Sequence, residues 1–128
     1  MAVHVGLQAL AGDYAVSQLA QDAPLPAWAD GPGFVAIART QDELSVVCLA
    51  ERVPAGTKSA GPWRALKFLG PFAFSETGIA AAVLQPLAQA AIGIFLVSTF
   101  DTDYLLVKAV DFERSCAALA AAGHRLPD

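Results

Sequence analysis

The chain has 128 residues, eight Lys and Arg against twelve Asp and Glu, and a net charge of −4. It is 55% hydrophobic and 16% charged, which excludes a disordered chain, although 27 alanines swell the apolar fraction without adding bulk. With no basic run, nucleic acid and anionic membrane surfaces are excluded as partners.

Two cysteines, Cys48 and Cys116, lie far apart in apolar contexts. A disulfide framework or a zinc site needs clustered cysteines, so both read as free buried thiols of a cytoplasmic protein. The start MAVHVGLQALAG has no charged region followed by a long apolar one, so no signal peptide is expected. Residues 77–100 carry no charge but contain Gln85, Pro86 and Gln89, and no Lys or Arg flanks them. The period also changes near Ala91, so this stretch reads as two elements and not as a membrane span.

In chain order, residues 3–19 read as two short strands around the turn Ala11-Gly12-Asp13. Residues 21–33, with three prolines and two glycines, read as loop with one helical turn near Trp28. FVAIART (34–40) and LSVVCLAER (44–52) form a hairpin around Gln41-Asp42-Glu43. PAGTKSAGP (54–62) reads as a linker, and WRALKFL (63–69) as a strand. A helix follows Ser75, with Ile79, Val83, Leu87 and Ala90 on one face. Ser75 or Thr77 is its expected cap, and Pro86 its expected kink. IGIFLVST (92–99) and residues 104–108 pair as a second hairpin. Asp111 is placed to cap a last helix, 112–122, with Phe112, Cys116, Leu119 and Ala120 inward and Gly123 just past its end. A short strand at 124–126 completes the pattern. The second half thus reads as an α+β, ferredoxin-like βαββαβ unit with a mainly antiparallel sheet. The first half offers a reduced copy.

The pieces F-S-x-x-G-I from Phe74, Pro-Leu-Ala at 86–88 and S-T-F-x-x-D at 98–103 occur in this order, with GDYAV at 12–16 and the upstream hairpin before them. Together they resemble the small tandem ACT-domain proteins of bacteria, which are related to the eukaryotic cytosolic arginine sensors and, more distantly, to aspartokinase regulatory domains. The resemblance covers about three-quarters of the chain. It implies an ACT domain at 63–128 preceded by a reduced ACT-like half at 1–62. It also implies a non-catalytic, regulatory role: an amino acid bound between ACT units, no cofactor, and occupancy reported to a protein partner.

An amino-acid carboxylate suits backbone N–H groups at a helix start, and Gly70 to Gly78, with Thr77 between, is such a place. In the arginine sensors a glutamate of the matching motif and the aspartate ending S-T-F-x-x-D contribute to the site. They map onto Glu76 and Asp103, a pair that favours a cationic side chain. Main-chain atoms at Gly93 and Ile94 are expected from the neighbouring ACT unit, and Thr99 and Phe100 complete the wall. The resemblance therefore implies a homodimer with two equivalent sites.

Catalytic readings find no support. G-x-S-x-G, G-x-x-x-x-G-K-[ST] and G-x-G-x-x-G are all absent, and His4 and His124 have no motif partner for a metal or a nucleophile. The alternative function is a dimerisation or protein-interaction module with a vestigial pocket.

Overall fold

The alternation in the first hairpin becomes β3 (Ala36–Arg39) and β4 (Leu44–Leu49), paired antiparallel from Ala36 opposite Val47 to Arg39 opposite Leu44. The computed structural model describes residues 3–73 and 75–127, so Phe74 of the F-S-x-x-G-I piece lies outside the described residues. The chain divides into two units, Ala11–Trp63 and Met1–Leu10 with Arg64–Asp128.

In the unit 11–63, β2 (Tyr14–Leu19) runs antiparallel to β4 and carries β5 (Ser59–Phe68) on its other side. Residues 59–62 are therefore strand and not linker. The Ser17 and Ser59 hydroxyls are 2.8 Å apart, and the Gln18 N–H donates to the Lys58 carbonyl. The register of β2 on β5 shifts between Tyr14 and Val16, opposite Gly61 and Pro62. Such a bulge is where a strand tolerates a proline that cannot donate to the ladder. Ala29, from the short turn of helix Ala27–Ala29, packs with Leu44, Val46 and Cys48 in the core of this unit. The 44–52 strand ends at Leu49 and closes in a 3₁₀ turn, Ala50–Arg52.

In the other unit the strand order is β1-β5-β7-β6, with β1 (Leu7–Ala9) antiparallel to the end of β5. β6 (Ile94–Ser98) and β7 (Asp103–Lys108) form the second hairpin. Helix α1 (Ile79–Gln89) buries Val83 and Leu87, four residues apart, against Leu66, Phe68 and Leu105. α2 (Phe112–Ala121) adds Leu119 to the same core. This α+β order, β5-α1-β6-β7-α2, is the ferredoxin-like pattern read from the sequence.

Four local expectations are corrected. α1 begins at Ile79 after Gly78 (φ +78°), and no side chain caps it, so neither Ser75 nor Thr77 has that role. Asp111 occupies the N-cap position of α2, but its carboxylate pairs with Arg114 at 3.2 Å and caps nothing. Ala120 is exposed, and Ser115 is buried in its place. That serine is affordable inside because its hydroxyl donates to the Asp111 carbonyl at 2.7 Å. Residues 124–126 do not form a full strand; Arg125 makes a single parallel bridge with Gly6. Among the described residues no helix is long and apolar enough to cross a membrane. The uncharged stretch 77–100 divides between α1 and β6, with Ala91 at φ +57° in the turn between them.

Candidate functional site

The start of α1, the loop before it and the turn joining β6 to β7 line an open cavity of about 330 Å³. One wall is the first turn of α1, from Gly78 to Ala81. The first N–H groups of a helix have no intrahelical acceptor, and among the described residues no side chain takes them up. The alanines leave this backbone uncovered, and a Cβ on Gly78 would meet nothing within 4 Å. That wall carries the positive end of the helix dipole.

The rest of the lining is acidic. Glu76, Asp101 and Asp103 line the cavity, and no Lys, Arg or His does. Ser98 and Asp103 are paired in register across the hairpin, and the Ser98 hydroxyl donates to the Asp103 carboxylate. Glu76 closes its own turn: Oε1 accepts the Ala73 N–H at 2.8 Å, while the Glu76 N–H donates to the Ala73 carbonyl. The turn between the strands is set by Thr99, whose hydroxyl donates to the Thr102 carbonyl. Thr102 is buried and its hydroxyl donates to the Phe68 carbonyl at 2.7 Å, which anchors the turn to β5.

Glu76, Gly78, Thr99, Phe100 and Asp103 thus share one cavity. Phe100, at its rim, is 80% exposed. The other expected residues lie elsewhere. Gly70 lines a separate hollow of about 170 Å³ beside Lys67. A Cβ on Gly70 would stand 3.0 Å from the Phe72 nitrogen and 3.2 Å from the Asp101 carbonyl, so this glycine serves the loop's packing. Thr77 is exposed and does not line the cavity. Gly93 and Ile94 lie at the far end of β6, about 13 Å of strand from Ser98.

Sequence reasoning missed Ser98, Asp101, Phe72 and the two alanines. Ser98 had a signal, since a hairpin whose turn spans 99–102 sets it opposite Asp103. The alanines had none, because a methyl side chain marks no chemistry in a sequence rich in alanine. Among the described residues no group of three His, Cys, Asp or Glu side chains could hold a metal ion. The two cysteines are free, and burial pushes both thiols up from the ordinary range.

Comparison with known proteins places this architecture. A family model for the ACT domain matches residues 58–121, and a model for an N-terminal domain matches 12–56. The cytosolic arginine sensor for mTORC1 subunit 1 of Bos taurus is 36% identical over 97 residues, which span 66% of this chain and 30% of that relative. A crystal structure of an Agobacterium tumefaciens protein is 50% identical with a TM-score of 0.93, covering 98% of this chain and 94% of that one. The ligand-free regulatory subunit of aspartate kinase from Thermus thermophilus shares the fold, with a TM-score of 0.65 at 11% identity, over 94% of this chain and 99% of its own. With the ACT model covering half its length, the chain belongs to the ACT domain family.

Proposed function

We propose that this chain is a non-catalytic regulatory protein that binds an amino acid in the cavity at the start of α1. Kinship with a sensor and with regulatory domains supports the regulatory, ligand-binding part of this reading. The observation that carries the finer part is that uncapped helix N–H groups and three carboxylates share one lining. Uncapped N–H groups of α1 suit the ligand's carboxylate. Asp103 and Glu76 suit an ammonium or guanidinium group. The volume is at the small end of sites for small molecules. The bovine relative, named as an arginine sensor, favours a cationic side chain.

In this reading the protein acts in the cytoplasm as a homodimer. Gly93 and Ile94 lie away from the cavity within one protomer, and a second protomer is the route by which their main chain reaches it. A downstream protein partner receives the signal.

The test is calorimetry with L-arginine, L-lysine and L-leucine on the wild type, Glu76→Gln and Asp103→Asn. Binding of a cationic amino acid, weakened about ten- to a hundredfold by loss of a charged hydrogen bond, is expected. Equal affinity in all three proteins removes the two carboxylates from the site. Binding of leucine alone ends the cationic preference and keeps the helix-start site. No binding at millimolar concentration replaces this reading with the interaction module.

A further inference from the structure

The cavity helix contains a proline, and a histidine from the end of the chain answers it. Pro86 lies inside α1 and has no N–H. In an α-helix that N–H would bond the carbonyl four residues earlier, which is Ala82. The Ala82 carbonyl is instead 2.8 Å from Nε2 of His124. The other ring nitrogen, Nδ1, accepts the Val5 N–H at 3.0 Å. Because Nδ1 is an acceptor, the proton of the neutral ring sits on Nε2 and is donated to Ala82.

His124 is 5% exposed, and its backbone is held on both sides. Its own N–H donates to the Leu119 carbonyl at the end of α2. The next residue, Arg125, donates to Val5 at 3.0 Å and accepts from Leu7 at 2.7 Å. The ring is therefore fixed by the chain around it. Ala82 follows directly on the cavity-lining residues Gly78 to Ala81. Its N–H donates to the Gly78 carbonyl, closing the first turn.

We propose that His124 is a positioning residue of the cavity. Through the carbonyl that Pro86 leaves without a backbone donor, it ties the first turn of α1 to the docked segment 124–126. The segment and the start of α1 then move as a linked pair, and binding at one is felt at the other. The importance of that turn for a ligand rests on the amino-acid reading above; the link itself does not.

The experiment is a double-mutant cycle read by amide hydrogen exchange on the ligand-free full chain. His124→Asn keeps an acceptor for Val5 but is too short to reach Ala82. His124→Gln can still donate there. Pro86→Ala restores the backbone donor. His124→Asn is expected to speed exchange at residues 82–84 about tenfold, the cost of one buried hydrogen bond, relative to β7. His124→Gln should reverse most of this, and in the Pro86→Ala background the Asn substitution should lose its effect. An undiminished effect with Ala at position 86, or equal acceleration at β7, would overturn the proposal. Should the Asn variant fail to fold, nitrogen NMR of the wild-type ring decides: an Nε2–H tautomer is expected, and an Nδ1–H tautomer refutes the link.

L-arginine titration of the same variants separates the two readings. Weaker binding in His124→Asn but not in His124→Gln supports both. Equal binding in all variants refutes the influence of His124 on the cavity. No arginine binding by the wild type ends the cationic preference, while the exchange cycle still decides the link.

Discussion

Ser98 and Asp103 face each other across the β6–β7 hairpin, and the serine hydroxyl donates to the aspartate carboxylate. The bond holds the carboxylate at the cavity wall before any ligand arrives, so less ordering is left for binding to do.

Removing that hydroxyl should therefore weaken ligand binding without removing the charge. Ser98→Ala is expected to lower affinity for a cationic amino acid by about fivefold, the worth of one ordinary hydrogen bond. Asp103→Asn should cost more than Ser98→Ala. Calorimetry on both variants checks the order, and a larger loss in Ser98→Ala would contradict it.

Ligand binding should also stabilise the fold. At 100 times its Kd, a ligand that binds only the native chain adds about 2.7 kcal/mol. For a chain this size that is a rise of several degrees in Tm. A thermal-shift screen of the twenty amino acids should show this rise for the cationic ones, largest at low salt because the carboxylates at the wall are partly exposed.

Gly78 enters α1 at φ +78°, with open space where a Cβ would stand. Its substitution then costs backbone strain and nothing else. Gly78→Ala should destabilise by about 1–2 kcal/mol, the penalty of a left-handed residue with a Cβ. Gly78→Asn should cost less, since asparagine tolerates this region. Urea unfolding monitored by circular dichroism separates the two.

Much of the fold was legible because period and chemistry agreed. The 34–52 hairpin alternates cleanly around a polar turn, and Val83 and Leu87 mark one helical face. Legibility failed where composition and context pulled apart. Ser59 to Pro62 reads as linker, yet a bulge lets β2 pair there. Ala120 looks inward by period, but alanine is too small to demand burial, and a hydrogen-bonded Ser115 takes the inward place. The site was half visible: side chains such as Glu76 and Asp103 leave a mark in sequence, while a wall made of backbone N–H groups leaves none.

The thiols carry a pH signature. Burial raises Cys48, with Arg52 opposing, and raises Cys116, with Arg64 opposing and Glu113 adding to it. At neutral pH both are protonated; Cys48 is buried and should react slowly with a disulfide reagent until urea exposes it, whereas Cys116 is only half-buried, not fully inward as the sequence suggested. The sign on stability follows from proton binding. As pH rises through the ordinary thiol range, the unfolded chain loses these protons before the native one, so the thiols' contribution to stability falls. Native-state labelling of Cys48 that is fast at neutral pH would contradict its burial.

The Leu10 N–H donates to the Ala65 carbonyl at 2.9 Å, so the chain leaves the cavity-bearing unit and returns to it at neighbouring points. Topologically, residues 11–63 are an insertion at the tip of a β-hairpin made by β1 and the end of β5. A tight turn could replace the whole insertion without unpairing Leu7 from Phe68. The same junction is a natural point for grafting a different module onto the cavity-bearing unit.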